Sequence, residues 1–399
     1  MNKISIFLLL TLAVPACLQN QETSDTQEST FSVMAYYVAE KDYRPDQLPL
    51  DKLTHIIFSF TNVIDGEMKF RHEESGEKLK LLVAQKKNHP RLKVMIACGG
   101  WGADGFSDMA HTAENRTKFV NSAIDFIEEY QLDGLDIDWE YPGIPAAGTK
   151  HRIEDKQNFT LLMKELREKM NTLDRPQTLT FASAGWKPYY DKIEIEEVMK
   201  YVDYMNVMTY DQIIATSPYT GHHTALGWIK KEDVAEYPYG EYMASRDEEM
   251  IEKRGYAWEP QSAEKIVAFC IDLGVKPEQI VIGGAFYGRA WKGVHPDKNG
   301  LYQPNGGPHI GWSGYSQIRS EFEGKNGYQR FWDPIAKAPF LYNAADSIFI
   351  SYDDTVSVRL KTTYAIDQNL GGIMFWQLGN DTKEENGLLD AIYKASPLQ

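Results

Sequence analysis

Three carboxyl groups fall at alternate positions in the run Asp133-Gly-Leu-Asp-Ile-Asp-Trp-Glu140. Side chains alternate along a β-strand, so Asp136, Asp138 and Glu140 share one face, while Leu135, Ile137 and Trp139 share the other. The apolar set belongs under packing helices, which leaves three acids in file on the opposite side. Buried acids without positive partners cost several kcal/mol, and no Lys or Arg in the neighbouring apolar runs is placed to neutralise them. A solvated strand edge would not be flanked by Leu, Ile and Trp. Such a row points to function rather than to stability. Like charges this close cannot all ionise, so Asp136 and Asp138 are expected to share a proton. Crowding and apolar walls are expected to raise Glu140 and keep it protonated as a general acid. No second carboxylate in the run is placed opposite this face as a nucleophile.

The elements that must hold this row follow from the rest of the chain. From Phe31 onward, short apolar runs alternate with longer amphipathic ones, the pattern of repeated βα units. Eight strands are predicted: Ser32–Val38, His55–Thr61, Lys93–Cys98, Gly134–Glu140, Thr178–Ala184, Tyr204–Tyr210, Ile280–Phe286 and Gly372–Trp376. Helices are predicted over Glu77–Lys87, Ala113–Tyr130, Asp155–Leu173, Ser262–Leu273, Thr355–Asn369 and near Gly387–Lys394. The fold class expected is α/β, a closed (β/α)8 barrel. A doubly wound open sheet is the alternative, but the Gly-rich phosphate loop that accompanies it is missing. Two connections are too long for ordinary barrel loops: 211–261, and 290–346, the latter read as a small α+β insertion. Both follow strand C-termini, where barrels build their active sites.

The 399 residues carry a net charge of −15 with 12% aromatic side chains. That balance argues against nucleic acid or anionic lipid as a partner and is no obstacle to a neutral polysaccharide. At the N-terminus, Lys3, the apolar run Ile4 to Val14, and Pro15-Ala16 describe an export signal over residues 1–17. Cys17 then sits where a bacterial lipoprotein signal places its acylated cysteine, with plain cleavage near Ala16 as the alternative. Residues 18–30 are polar and read as a flexible linker, ahead of a catalytic domain over 31–399. On this reading the protein is exported, and meets a membrane only through a lipid anchor at the outer membrane or cell surface. Cys98 and Cys270 lie in apolar stretches and are expected as buried free thiols. No metal-ligand spacing is seen, His222-His223 are read as loop residues, and no cofactor or metal is expected.

The acidic run matches the DGxDxDWE signature of family 18 glycoside hydrolases, the chitinases and their relatives. Ile96-Ala-Cys-Gly-Gly-Trp101 resembles that family's third-strand segment, Met208-Thr-Tyr-Asp211 its sixth, Phe286-Tyr-Gly-Arg289 its seventh, and Gly371-Gly-Ile-Met-Phe-Trp376 its eighth. The similarity runs in order from about residue 33 to 394.

The resemblance implies substrate-assisted hydrolysis of β-1,4-linked N-acetylglucosamine in chitin or its oligosaccharides. Glu140 would protonate the glycosidic oxygen, and the substrate's own acetamido oxygen would attack the anomeric carbon. Asp138 would stabilise the resulting oxazolinium ion, with Asp136 taking over the shared proton. Tyr210 would hydrogen-bond the acetamido group, Asp211 would help position the sugar, and Trp376 would floor the subsite. Met208, Trp101, Tyr287, Arg289, Tyr37 and Phe60 are the further candidate sugar contacts. For Arg289 a salt bridge is the alternative, and for Tyr37 and Phe60 it is core packing. Trp186, Trp312 and Trp332 are read as loop residues that could extend the cleft. The family's third-strand Ser is Ala97 here, a departure that bears on how the Asp136–Asp138 proton is held. Two other readings stay open: an endo-β-N-acetylglucosaminidase acting on N-glycan chitobiose cores, and a non-catalytic chitin-binding lectin. A monomer is expected.

Overall fold

The computed structural model describes residues 31–39, 43–254, 257–309 and 313–399. The export signal, Cys17, the linker and Trp312 lie outside the described residues.

Eight parallel strands close on themselves: β1 (Ser32–Val38), β2 (His55–Ile64), β3 (Lys93–Gly99), β4 (Gly134–Asp138), β5 (Thr178–Ala184), β6 (Tyr204–Met208), β7 (Ile280–Ala285) and β8 (Gly372–Trp376). Each pairs with the next, and β1 pairs with both β2 and β8. The sheet is therefore a closed (β/α)8 barrel. Strand-forming residues buried on both faces explain why these runs read as nearly continuous apolar stretches. Helices Glu74–Ala84, Ala113–Tyr130, Asp155–Met170, Ala263–Asp272, Thr355–Asp367 and Leu388–Ala395 lie between and after the strands. Three of the expected strands are shorter than their apolar runs: β4 stops at Asp138, β6 at Met208 and β7 at Ala285. Glu140, Tyr210 and Asp211 thus stand just beyond strand ends, on the catalytic rim of such a barrel.

Side-chain parity divides the barrel into two layers. Met34, Tyr36, Ile57, Met95, Ala97, Val281 and Met374 pack inside it, while Leu135, Ile137 and Trp139 face the helices. The Trp139 indole stacks on Phe106 at 5.4 Å and meets the edge of Phe159 at 6.1 Å. This outward anchoring of the apolar set turns Asp136, Asp138 and Glu140 inward. A Cβ on Gly99 would lie 1.9 Å from the Asp138 carbonyl oxygen, and one on Gly100 would lie 2.9 Å from the Phe60 ring. Both glycines have positive φ, 126° and 92°, so this turn needs glycine for conformation and for space.

The chain after β7 builds a second, antiparallel sheet from Ser313–Gly314, Tyr287–Trp291, Ile348–Ser351, Ala338–Asn343 and Tyr328–Asp333, in that spatial order. It is wider at both ends than the expected 290–346. The stretch 211–261 carries three helices not foreseen, Lys231–Val234, Pro238–Ala244 and Asp247–Arg254. The two insertions share a core in which Trp291, Phe340 and Phe349 pack with Ala225, Ile229 and Tyr239. A buried ion pair ties the insertion back to the barrel. Lys361 Nζ lies 2.6 Å from both Asp353 Oδ2 and Thr224 Oγ1, and the Ala285 backbone N–H donates to Asp353 Oδ2 at 2.9 Å. Cys98 and Cys270 are buried free thiols.

Candidate active site

Asp136 sits at the bottom of the row and is fully enclosed. Strand register sets it between Ala97 on β3 and Thr180 on β5. The Thr180 hydroxyl donates to Asp136 Oδ1 at 2.5 Å, the Asn206 amide donates to the same oxygen at 3.2 Å, and Tyr36 Oη donates to Oδ2 at 3.0 Å. Where Ala97 offers no donor, the neighbour on the other flank supplies one. Burial pushes the Asp136 carboxyl up to about 6, while the bonds from Thr180, Tyr36 and Asn206 pull it back. These donors are neutral. No Lys or Arg offsets any of the three acids among the described residues.

Asp138 lies above it, and its Oδ1 is buried without a hydrogen-bond partner among the described residues. Burial, then the charges of Glu140 and Asp136, hold its carboxyl well above the usual range. An acceptor left unpaired at this depth costs about 1–3 kcal/mol, and a proton or a ligand N–H relieves it. Glu140 is nearest the mouth. Burial pushes it up to about 7, a hydrogen bond from Tyr141 lowers it, and the charge of Asp211 raises it. At neutral pH and below, the row therefore holds a protonated acid over an acceptor waiting for a donor.

The other expected residues assemble unevenly around this row. Tyr210 and Met208 join the inner layer beside Trp376, and the Tyr210 hydroxyl lies 3.8 Å from Met374 Sδ. Trp376 stacks on Phe60 with ring centroids 5.4 Å apart and planes at 19°. Together with Trp101, Arg71 and His72 these two rings line a recess of about 280 Å³. Trp101 is 68% exposed and presents its ring beside Tyr141 at 6.4 Å. Trp186 continues the aromatic path, 5.5 Å from Tyr141.

Asp211 has φ +55°, a left-handed conformation rare for a residue with a Cβ. Arg289 holds its carboxylate with two bonds, Nε to Oδ1 at 2.7 Å and Nη2 to Oδ2 at 2.8 Å. Burial would raise this carboxyl, but the bonds from His223 and Arg289 outweigh it and hold Asp211 below its usual value. Arg289 is thus engaged in the salt bridge that the sequence offered as its alternative role.

Two expectations are corrected by parity and burial. Tyr37 is no cleft residue: it points into the outer layer against Phe58 and donates to the Tyr43 carbonyl oxygen at 2.5 Å. Its neighbour Tyr36 is the inward tyrosine. Because β1 is buried on both faces, its sequence carries no polar alternation to tell the two apart. Tyr287 is also buried, 1% exposed, and backs Tyr210 with ring centroids 6.0 Å apart, so it supports the site rather than facing it. His223, read as a loop residue, is wholly buried between acceptors: Nε2 lies 3.3 Å from the Tyr287 carbonyl oxygen and Nδ1 lies 3.7 Å from Asp211 Oδ1. Thr180 had a legible signal, since it falls on the register position beside Asp136. Asn206 and His223 had none, because their partners come from distant segments.

Comparison with known proteins decides the family. The model of glycosyl hydrolases family 18 matches residues 32–381. This chain belongs to family 18 of the glycosyl hydrolases. It is 38% identical over 308 residues to chitinase A1 of Niallia circulans, covering 74% of this chain and 42% of that protein. It is 30% identical over 397 residues to chitinase B of Serratia marcescens, covering 86% of this chain and 77% of that one. The structure of a family 18 N-acetylglucosaminidase from Paenibacillus barengoltzii superposes with a TM-score of 0.79 at 34% identity, covering 92% of this chain and 99% of that one. With these relatives, this family 18 member is a glycosyl hydrolase of the chitinase type.

Proposed function

We propose that this family 18 hydrolase cleaves β-1,4-linked N-acetylglucosamine chains by a substrate-assisted, retaining mechanism. Glu140 donates its proton to the glycosidic oxygen. The acetamido oxygen of the bound sugar attacks the anomeric carbon as the bond to the leaving group breaks, forming an oxazolinium ion. Asp138 accepts from the acetamido N–H, and the proton it shares passes to Asp136. Tyr210 orients the acetamido group over the floor made by Trp376, and Asp211 contacts the sugar. Glu140, now a carboxylate, takes a proton from the water that opens the ring, and the configuration is retained.

The observation that carries this reading is the unpaired buried oxygen of Asp138 between two acids with raised proton affinity. A carboxylate acting as direct nucleophile would be ionised and open toward the anomeric carbon. An acetamido N–H fits the arrangement instead. The activities for which the relatives are named, chitinase and N-acetylglucosaminidase, support N-acetylglucosamine as the sugar.

The test is hydrolysis of chitohexaose beside a high-mannose glycoprotein. Chitobiose or N-acetylglucosamine from the first is expected; release of intact glycans from the second alone would overturn the substrate. Glu140→Gln is expected to lower turnover on the order of a hundred- to ten-thousandfold while oligosaccharide binding persists. Wild-type turnover in that variant would remove Glu140 from the acid's role, and a wild-type protein that binds without cutting would be a lectin. We further propose that the protein is exported and held at a membrane by an acyl group on Cys17, and that it acts as a monomer.

A further inference from the structure

A second recess, of about 350 Å³, opens on the wall built jointly by the two insertions. Its sides come from the helix Lys231–Val234 with Tyr237, from Tyr302, and from the edge strand that ends in Phe331, Trp332 and Asp333. It shares no lining residue with the Phe60–Trp101–Trp376 recess or with the acid row. Five aromatic rings, Tyr237, Tyr302, Phe331, Trp332 and Phe340, line it. Apolar surface continues outside: Ile335 at its lip is 44% exposed, and Trp228, next in sequence to the lining residue Ile229, is 46% exposed. Open apolar surface joined to a concave, ring-lined recess marks a binding site on a soluble domain.

The polar groups narrow the ligand. Asp333 is already committed, accepting from the Ile335 and Ala336 backbone N–H groups at 2.9 and 3.2 Å and lying 3.0 Å from His222 Nε2. The other polar lining residues are Lys298, Asn299 and Asp233, the last accepting from the Lys230 backbone N–H at 2.8 Å. With Asp333 the lining carries two carboxylates against one ammonium, a balance that disfavours a phosphate or a carboxylate ligand. In the back wall, the Tyr302 hydroxyl is buried with no partner among the described residues. The ring of His222, edge-on to Tyr302 at 5.9 Å, leaves its Nδ1 in the same condition. Ring faces for apolar C–H surface, donors and acceptors at the rim, and unused polar atoms behind them match a pyranose. A lipid tail would leave these polar atoms unpaired, at about 1–3 kcal/mol each.

We propose that this recess is a second, non-catalytic site for a β-linked N-acetylglucosamine chain, seating one sugar between Tyr237 and Trp332 and laying its neighbours across Ile335 toward Trp228. The proposal rests on the substrate reading above. Its effect is to hold a polymer on the wall while another stretch is cut.

The full chain carrying Glu140→Gln, titrated calorimetrically with chitotetraose, is expected to show two classes of site. Adding Trp332→Ala is expected to weaken one class by at least about tenfold, the loss of a central aromatic anchor, and to lower retention on insoluble chitin in parallel. Ile335→Glu, at an exposed position, is expected to do the same without touching the core. In the wild-type background neither change alters chitohexaose turnover. A single class of site in the Glu140→Gln protein, or two classes unmoved by both changes, overturns the second site. Absence of chitohexaose hydrolysis by the wild type would instead overturn the substrate reading, so the two failures are distinguishable.

Discussion

At the scale of single residues, the acid row sets protein stability and catalysis against each other. Glu140 titrates near 7 when folded and at an ordinary 4.5 otherwise, and Asp136 near 6 against 3.8. The folded state therefore binds more protons than the unfolded chain between those values, so stability falls as pH rises through that window. Asp138→Asn removes the acid pressed hardest by its neighbours. It is expected to raise the melting temperature more at pH 8 than at pH 4, while turnover falls. An equal shift at both pH values would mean that the row does not strain the fold. In the wild type, turnover should decline as pH rises through about 7, where Glu140 gives up its proton. The row itself was legible because period-two alternation separates Asp136, Asp138 and Glu140 from Leu135, Ile137 and Trp139. Its supports were not. Tyr36 is hidden by a strand buried on both sides, and Asn206 reaches Asp136 from a strand 70 positions away.

Among the elements, the barrel strands were readable because burial on both faces leaves continuous apolar runs. The long connections were not, since their order comes from contacts between segments far apart. Asp353 and Lys361 illustrate this: neither lies in a recognisable pattern, yet they join the insertion, β7 and the helix Thr355–Asp367. Burial alone would strip the Lys361 charge, and Asp353 opposes it. Deleting one partner leaves an uncompensated charge in the interior. Asp353→Ala is expected to cost about 3–5 kcal/mol in chemical denaturation, and the double change Asp353→Asn with Lys361→Met should recover much of it. If the single change is silent, the pair does not bind the insertion to the barrel. Arg289 belongs to the same insertion, so loosening it should also release Asp211 and raise KM.

On the scale of the whole molecule, the described residues contain no helix long and apolar enough to cross a membrane. The membrane attachment proposed above rests on Cys17. Cys17→Ala is expected to shift the protein from the membrane fraction to the soluble exported fraction and to abolish incorporation of labelled fatty acid. Unchanged fractionation would remove the anchor. The chain carries 57 acidic against 42 basic residues, and its deepest acids have no counterion among the described residues. That combination bears on chitin that has lost some of its acetyl groups. Each bared glucosamine is an ammonium ion, drawn toward a chain of net charge −15 but lacking the acyl oxygen that the proposed mechanism needs. Partly deacetylated oligomers should therefore lodge in the cleft uncut and act as competitive inhibitors. Their grip should weaken as salt shortens the Debye length from ~30 Å at 0.01 M to ~3 Å at 1 M. Inhibition indifferent to salt would show that the chain's net charge does not act at a distance.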